Sequence, residues 1–446
     1  MVAIVCLIFA IHLCISLKKP FWGLLSLIVI KILIPDNVRF PIGDASLNTV
    51  ISFVLFCSWF FKSIIAKRHT RTTNKLNIYI FFIILYCGLN MLFTYTSVPI
   101  AYQFRIYTQY VVLQLLPIVV MIDVVKTKEE LLLLIYTFGM ATLICVVYSL
   151  FCYITFIPYP YNAFINSVYE GRVEDIGAEM DIEMGGVVGR CMGTATSGTW
   201  DYGMVISMLF VCVGSIYQVI KNKFFLIVWI LAGIDLLCTV RRAPVITGLI
   251  FLLILFLLKD RTKILRKLMT IFAAGIVLIA VIYVFPQLSA FRHILESSIF
   301  FWDDSVSEKN DVKGSNVGFR TYQLLHTLQY VKDSPIFGNG WGSCFYKNKY
   351  PDMIGWESII FTTLMQFGYL GFLLWMNLYY KFYLYSKESK MKLISFAFMA
   401  AAMAFCIIND TIYPFYIFFG AVLINKFRFL TTNNLKKNAS IRFKNY

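Results

Sequence analysis

Long apolar runs alternate with short polar connections along almost the whole sequence. Each run holds 15 to 27 residues, close to the roughly 20 apolar residues that a helix needs to cross a bilayer. The runs lie at 2–17, 21–35, 47–66, 76–95, 102–122, 131–157, 200–218, 224–240, 243–258, 268–286, 356–379, 391–408 and 412–426. Stretches such as Leu131 to Ile157 are apolar on every face, unlike the alternating strands of a membrane barrel. The pattern predicts an all-α polytopic membrane protein with about 12–13 transmembrane helices.

Two polar connections are much longer than the rest, at 158–199 and 287–355. In the second, Phe319, Tyr322 and Leu325 recur at helical spacing, and Pro335 follows where a helix would stop. We therefore expect a long, partly helical outward loop. The predicted organisation is N-terminal transmembrane helices at 1–157, an outer loop at 158–199, central transmembrane helices at 200–286, a large outer loop at 287–355, C-terminal transmembrane helices at 356–426 and a basic cytoplasmic tail at 427–446.

The composition agrees with the apolar pattern and excludes several classes of protein. Hydrophobic residues make up 59% of the chain and charged residues 14%, with a mean hydropathy of +0.73. Soluble domains have about 45–50% apolar and about 25% charged residues, so an ordinary soluble enzyme and a disordered chain are excluded. Nine of the eleven cysteines lie in apolar runs, and no Cys/His spacing indicates a metal site. We expect no metal and no cofactor.

The net charge of +16 is distributed unevenly along the chain. Of the 40 Lys and Arg residues, 25 lie in one alternating set of connections and five in the short connections of the other set. Cytoplasmic loops retain positive charge, so the asymmetry predicts a cytoplasmic C-terminal tail and outward-facing loops at 158–199 and 287–355. The charge forms no compact basic patch, which favours anionic lipid of the inner leaflet over nucleic acid as its partner.

Three arginines depart from this pattern because they lie in outward connections. Arg190 is the last basic residue before the run 200–218, and Arg241 and Arg242 are adjacent in a tight outward turn. One interpretation is that they snorkel to lipid phosphates of the outer leaflet. The other is a site for a phosphorylated ligand, since a guanidinium group matches phosphate oxygens with two parallel hydrogen bonds.

The long outer loop adds candidates of its own. Arg320 heads its predicted helix, and a glycine cluster follows at 338–342. The cluster faces away from cytosolic nucleotides and follows no strand, so we expect a turn that lets backbone approach a ligand rather than a nucleotide loop. Glu357 opens the next apolar run, either as a carboxylate that a helix start stabilises or as a general base. His326 is a second candidate for proton transfer, although loop histidines are more often structural.

The half of the sequence from Gly189 to Gly371 resembles the O-antigen polymerase and ligase superfamily of bacterial envelope proteins. The matching features are an arginine before Gly-Thr, an outward Thr-x-Arg-Arg that opens an apolar helix, and an arginine-led helix that runs to a Pro-x-x-Gly-x-Gly turn. They correspond to Arg190 with Gly193-Thr194, Thr239 with Arg241-Arg242, and Arg320 through Pro335-Ile336-Phe337-Gly338-Asn339-Gly340. The next run reaches Gly368-Tyr369-Leu370-Gly371, which is similar to the family's Gly-Leu-Leu-Gly.

One departure from the family pattern favours a polymerase. Ligases of this superfamily carry a histidine eleven residues before the first of those glycines, and Glu357 stands there in this sequence. The resemblance implies a membrane glycosyltransferase, independent of metal and nucleotide sugar, that polymerises polyprenyl-diphosphate-linked oligosaccharide repeat units into O-antigen, capsular or exopolysaccharide chains. It also implies a multi-pass protein of the bacterial cytoplasmic (inner) membrane, with its active site on the outer face.

The chemistry of such a transfer assigns roles to the candidate residues. A lipid diphosphate leaves readily only if its developing negative charge is stabilised. The candidates for binding it are Arg190, Arg241, Arg242 and Arg320. The acceptor hydroxyl needs orientation and proton removal, for which Glu357 is the first catalytic candidate and His326 the second. Aromatic side chains of the outer loops offer faces to sugar rings or form an interfacial belt. The candidates for glycan contact are Trp341, Trp356 and Tyr322.

The expected partners are the polyprenyl-diphosphate-linked oligosaccharide, as donor and as acceptor, and the lipid bilayer. A chain-length regulator and a flippase are further candidate partners, and no nucleic acid is expected. Two other functions stay open: a ligase that transfers finished glycan to an acceptor, and a flippase or transporter that forms no glycosidic bond. Transporters usually place their charges near mid-bilayer in broken or repeated helices, whereas these candidates lie near the outer face.

Overall fold

The computed structural model describes residues 2–35, 37–41, 45–65, 74–94, 96, 98–168, 191–196, 199–239, 241–259, 263–284, 317–345, 358–408 and 415–430. These residues form sixteen α-helices and no β-strand, which confirms the all-α prediction. The helices are α1 Val2–Lys18, α2 Pro20–Leu33, α3 Leu47–Ile65, α4 Lys75–Phe93, α5 Ile100–Val111, α6 Leu116–Val124, α7 Lys128–Thr155, α8 Pro160–Val168, α9 Thr199–Ile220, α10 Lys223–Cys238, α11 Arg242–Lys259, α12 Ile264–Val284, α13 Val317–Val331, α14 Ile359–Lys387, α15 Lys392–Ile408 and α16 Phe415–Lys426.

The helices have the length and composition of a multi-pass membrane protein. Among the described residues, four helices are long and apolar enough to cross a membrane: α4, α7, α9 from Asp201, and α14. Shorter apolar helices accompany them, including α1, α2, α11 and α15. All twelve residues of α16 are buried, so this helix lies at the centre of the bundle. The helix predicted inside the second outer loop is confirmed as α13.

The run 102–122, predicted as one helix, forms two. α5 ends at Val111 and α6 begins at Leu116. Pro117 lies in the first turn of α6, where a proline fits, but within one continuous helix its ring would clash with the carbonyl four residues earlier. Gln114, buried in the break, accepts a hydrogen bond from the amide nitrogen of Phe415 at 2.9 Å. The break therefore joins α5 and α6 to the central helix α16.

One end of the bundle is rich in lysine, and we call it the lysine end. The end of α16 joins the two sides of this lysine end. The Lys426 ammonium donates to the Ile122 carbonyl at 2.7 Å, and the Asn425 amide donates to the Glu388 carboxylate at 3.3 Å. The described lysines at this end include Lys19, Lys62, Lys126, Lys221, Lys259, Lys390, Lys392 and Lys426. This agrees with the alternation of charged connections in the sequence.

The opposite end contains Arg241, Arg242 and Arg320, and we call it the arginine end. α11 and α15 pack against each other. Lys259 at the end of α11 and Lys392 at the start of α15 line the same cavity, so the two helices are antiparallel. They have 18 and 17 residues, about 27 and 26 Å in length, so the start of α11 meets the end of α15 at Ile408.

Candidate functional site

Arg320 lies in the first turn of α13 and reaches the end of another helix. Its guanidinium donates hydrogen bonds to the carbonyl oxygens of Ile408 and Ile407 at 3.0 and 3.4 Å. Both carbonyls belong to the end of α15, which carries partial negative charge and favours a cation. The contact therefore fixes the start of α13 at the arginine end.

The segment that leads into α14 meets the same helix end. The hydroxyl of Ser358, the residue before α14, donates to the carbonyl oxygen of Cys406 at 3.4 Å. Cys406 directly precedes Ile407, so Ser358 and the Arg320 guanidinium bind neighbouring carbonyl groups. The residue that follows Glu357 in the sequence is thus held beside Arg320.

Arg241 occupies the turn between α10 and α11. Its Cγ and Cβ atoms lie beside Gly203 of α9, 3.6 and 3.7 Å from where a Cβ on that glycine would stand. Three residues before Arg241, the Cys238 carbonyl accepts a hydrogen bond from the amide of Cys191 at 3.1 Å. The residue that follows Arg190 in the sequence is therefore held beside the Arg241 turn.

A buried carboxylate lies in the last turn of α10, near Arg241. Asp235 is fully buried and accepts hydrogen bonds from the hydroxyls of Tyr202 and Ser149, the second at 2.7 Å. Donors of this kind offset the cost of burying a carboxylate. Tyr202 lies on α9 and Ser149 on α7, so the network joins three helices under the turn. Its sequence signal was an acidic residue inside an apolar run.

We expect Tyr202→Phe to lower the free energy of unfolding by roughly 1–3 kcal/mol, because buried Asp235 loses a hydrogen-bond donor. Thermal unfolding of the purified protein in detergent measures the change. Tyr217→Phe is the matched control, since it also removes a hydroxyl and keeps the ring contact with Trp229, 5.5 Å between centroids. Equal unfolding temperatures for the two variants would contradict this role of the network.

The glycine cluster at 338–342 packs against a break in α14. Gly368 interrupts that helix with φ of 64° and ψ of −168°. Four backbone hydrogen bonds of 2.8 to 3.3 Å join the turn to the break. The pairs are Asn339 with Met365, Gly340 with Gln366, Tyr369 with Pro335 and Leu370 with Ile336. Backbone groups that the break frees are thus satisfied within the protein, as membrane-buried structure requires. The two glycine motifs form one structural unit.

Trp341 was predicted as a glycan contact, but its ring offers no open face to a sugar. The side chain is 0% exposed, and its indole N–H donates to the Cys87 carbonyl at 2.9 Å. Its ring packs edge-to-face on Phe367, with centroids 4.6 Å apart. Trp341 therefore anchors the glycine turn to α4 and α14, and its role is structural.

An aromatic ridge runs along α13 and consists of Tyr322, His326 and Tyr330. The ring centroids of Tyr322 and His326 are 4.0 Å apart, and Tyr330 lies 6.3 Å from His326. Tyr322 is 42% exposed, so the ridge is accessible from outside the bundle. The spacing of four residues places all three rings on one helix face. Tyr330 was not among the residues predicted from the sequence, although the same spacing would have indicated it.

Lys31 is a second residue that the sequence analysis missed. It is 8% exposed, and its ammonium lies 4.5 Å from the ring centroid of Phe415 at the start of α16. The carbonyl of the next residue, Ile32, accepts a hydrogen bond from the Thr194 hydroxyl at 2.9 Å, which places Lys31 close to the segment after Arg190. A lone lysine inside the apolar run 21–35 was its sequence signal.

The remaining predicted site residues lie outside the described part of the chain, wholly or by their side chains. Arg190, Trp356 and Glu357 fall outside it, and for Arg242 only the backbone, at the start of α11, is described. The structure therefore forms two pairs: Arg241 with the sequence neighbour of Arg190, and Arg320 with the sequence neighbour of Glu357. The antiparallel packing of α11 and α15 places both pairs at the same end of the bundle.

Residues 225–376 match a family model described as O-antigen ligase. The match covers about a third of the 446 residues and includes α10, α11, α13 and the break in α14. Arg241, Arg320 and Glu357 lie within it, whereas Arg190 lies before it. None of the curated proteins matches the chain.

Proposed function

We propose that the chain is a polysaccharide polymerase of the O-antigen ligase and polymerase superfamily, and the family match over residues 225–376 supports this proposal. The proposed reaction joins polyprenyl-diphosphate-linked oligosaccharide repeat units into O-antigen, capsular or exopolysaccharide chains. The proposed enzyme is a membrane glycosyltransferase that uses neither metal nor nucleotide sugar. Its proposed site is the arginine end, which the positive-inside rule directs to the outer face of the cytoplasmic membrane.

The observation that carries the proposal is the convergence of cations from separate segments. Arg241 lies in the turn before α11, and Arg320 binds the end of α15, the helix that packs antiparallel to α11. Guanidinium groups from different segments can engage both phosphates of a diphosphate in charge-assisted hydrogen bonds. A lipid-linked diphosphate is the ligand that this charge and a membrane-embedded site together favour.

In the proposed transfer, an acceptor sugar hydroxyl attacks the anomeric carbon of the donor glycan. A new carbon–oxygen bond forms as the bond from that carbon to the diphosphate oxygen breaks, and the electron pair leaves with the diphosphate. Arg190, Arg241, Arg242 and Arg320 stabilise that charge. Glu357 accepts the hydroxyl proton, with His326 as the second candidate.

The aromatic ridge gives the acceptor glycan a binding surface. Tyr322 and His326 lie on the same helix as Arg320, and Tyr322 is exposed. Arg320 precedes Tyr322 by only two residues in the sequence. A sugar stacked on this ridge would therefore reach the arginine end. We assign no sugar contact to Trp341, and Trp356 stays a candidate from the sequence.

A strain that lacks the protein separates polymerase from ligase. We expect single repeat units to persist while long chains disappear, and a Glu357→Gln gene should fail to restore them. Electrophoresis of the surface glycan measures both results. Long glycan that accumulates on the lipid carrier in the deletion strain would instead identify a ligase. Movement of lipid-linked sugar between leaflets by purified protein, without bond formation, would identify a transporter.

A further inference from the structure

A cavity of about 550 Å³ opens at the lysine end, far from the arginine end. Three lysines line it: Lys259 at the end of α11, Lys390 in the turn before α15, and Lys392 at the start of α15. All three are exposed. Among the described residues that line the cavity, none is acidic. The cavity is thus a concentration of positive charge.

Two further features add positive potential to this cavity. Lys392 and the next two residues of α15 line it, and the first-turn amide groups of a helix carry partial positive charge. Lys221 lies close to Lys259. Burial and the neighbouring charge of Lys259 lower the pKa of Lys221. Glu388, the acid that precedes Lys390 by two residues, does not line the cavity, and its carboxylate accepts a hydrogen bond from Asn425 of the central helix. The described residues that line the cavity therefore carry a net positive charge, which attracts an anion.

The walls of the cavity are apolar. Trp229, Leu252 and Phe256 line it below the lysines, and Phe256 is 44% exposed. Trp229 and Leu252 also line a second, apolar cavity of about 350 Å³ between α10 and α11, which extends the apolar surface toward the arginine end. An occupant that matches both the lysines and the apolar walls has a negatively charged headgroup and a hydrocarbon chain.

A second lysine-lined cavity of about 520 Å³ gives an internal comparison. Lys19, Lys62 and Lys126 line it, but so do Asp123 and Glu130. Lys126 lies 3.2 Å from Asp123, and Lys19 lies 3.7 Å from Glu130. Two of the three lysines of this cavity, Lys19 and Lys126, thus have counterions from the protein itself, whereas the described acidic residues form no ion pair with the lysines of the first cavity.

We propose that the cavity of Lys259, Lys390 and Lys392 binds an anionic phospholipid of the leaflet at the lysine end. The lysines and the start of α15 hold the headgroup phosphate, and an acyl chain lies along Trp229, Leu252 and Phe256. The site would stabilise the packing of α11 against α15. It is independent of the proposed transferase chemistry at the other end of the bundle.

Native mass spectrometry of the full chain tests this proposal by titration with phosphatidylglycerol, phosphatidylcholine and inorganic phosphate. We expect the triple variant K259Q/K390Q/K392Q to raise the apparent Kd for phosphatidylglycerol at least about tenfold, since each lysine near an anionic lipid contributes measurably. K259R/K390R/K392R keeps the charges and should bind as the wild type does. K19Q/K62Q, which removes two charges from the second lysine-lined cavity, is the control.

Three results would overturn the proposal. The first is a smaller loss in the triple glutamine variant, or an equal loss in K19Q/K62Q. The second is equal affinity for phosphatidylcholine, which would show that the headgroup charge has no role. The third is displacement of the lipid by an equal concentration of inorganic phosphate, which would indicate a free-anion site. All three lysines are exposed, so we expect the variants to fold as the wild type does, and their unfolding temperatures are compared in parallel.

Discussion

Arg320→Ala is expected to reduce the rate of chain extension about 100-fold to 1000-fold, because it removes a donor to the charge that develops on the leaving diphosphate. The added repeat units should remain unextended, since the variant slows the proposed step that consumes them. The measurement is the length distribution of glycan made by purified protein from lipid-linked repeat unit. Arg320→Lys keeps the charge but loses the planar fork, so an intermediate rate is expected.

Two controls separate this effect from a structural one. Arg320 also holds the carbonyls of Ile407 and Ile408, so unfolding temperatures are compared in parallel. Arg266→Ala removes an exposed arginine from the first turn of α12 at the lysine end, and should leave the rate unchanged. Wild-type chain lengths from Arg320→Ala would remove this residue from the proposed mechanism.

Gly338→Ala should destabilise the protein by roughly 2–5 kcal/mol, since two costs add. The residue has φ of 74°, which costs an L-amino acid about 1–2 kcal/mol. An added Cβ would also lie 2.4 Å from the amide nitrogen of Gly368, and overpacking against backbone costs about 1–3 kcal/mol. The glycine turn would have to leave the break in α14, and chain extension should be lost with it.

Gly275→Ala is the matched control for the glycine turn. Gly275 lies in α12, and an added Cβ there meets no atom within 4 Å. Alanine in a helix is favoured over glycine by up to about 1 kcal/mol, so this variant should unfold at or above the wild-type temperature. Equal unfolding temperatures for Gly338→Ala and Gly275→Ala would contradict the proposed packing of the glycine cluster at 338–342 against the break at Gly368.

Most helices could be predicted from the sequence, because apolar runs in a bilayer form helices whose backbone groups hydrogen-bond within the helix. It was less informative where a helix is interrupted. Pro117 and Gly368 were visible inside apolar runs, but whether such residues break a helix depends on what satisfies the freed backbone groups. Here those partners are distant: Gln114 binds the amide of Phe415, and the turn at 335–340 binds the break in α14.

The candidate site shows the same division between local and distant information. Charge patterning singled out Arg241, because arginines in short outward turns are unusual, and the predicted helix of the long outer loop singled out Arg320. It did not reveal that Arg320 binds the end of α15, 87 residues away in the chain. Trp341 was predicted to contact a glycan because it is an aromatic residue of an outer loop. Its indole N–H instead donates to the carbonyl of Cys87, 254 residues away in the chain. Contacts between residues so far apart in the chain depend on how the helices pack, which the local sequence pattern does not show.

The central claim is that the arginine end joins lipid-linked repeat units into a polymer. Its most direct test is a reaction of purified protein in detergent or nanodiscs with one lipid-linked repeat unit and no nucleotide sugar, resolved by chain length. The account predicts a ladder of products that grows with time in the wild type and is absent in Arg320→Ala. A wild-type protein that leaves the repeat unit unextended, while it transfers preformed glycan to another acceptor, would contradict it.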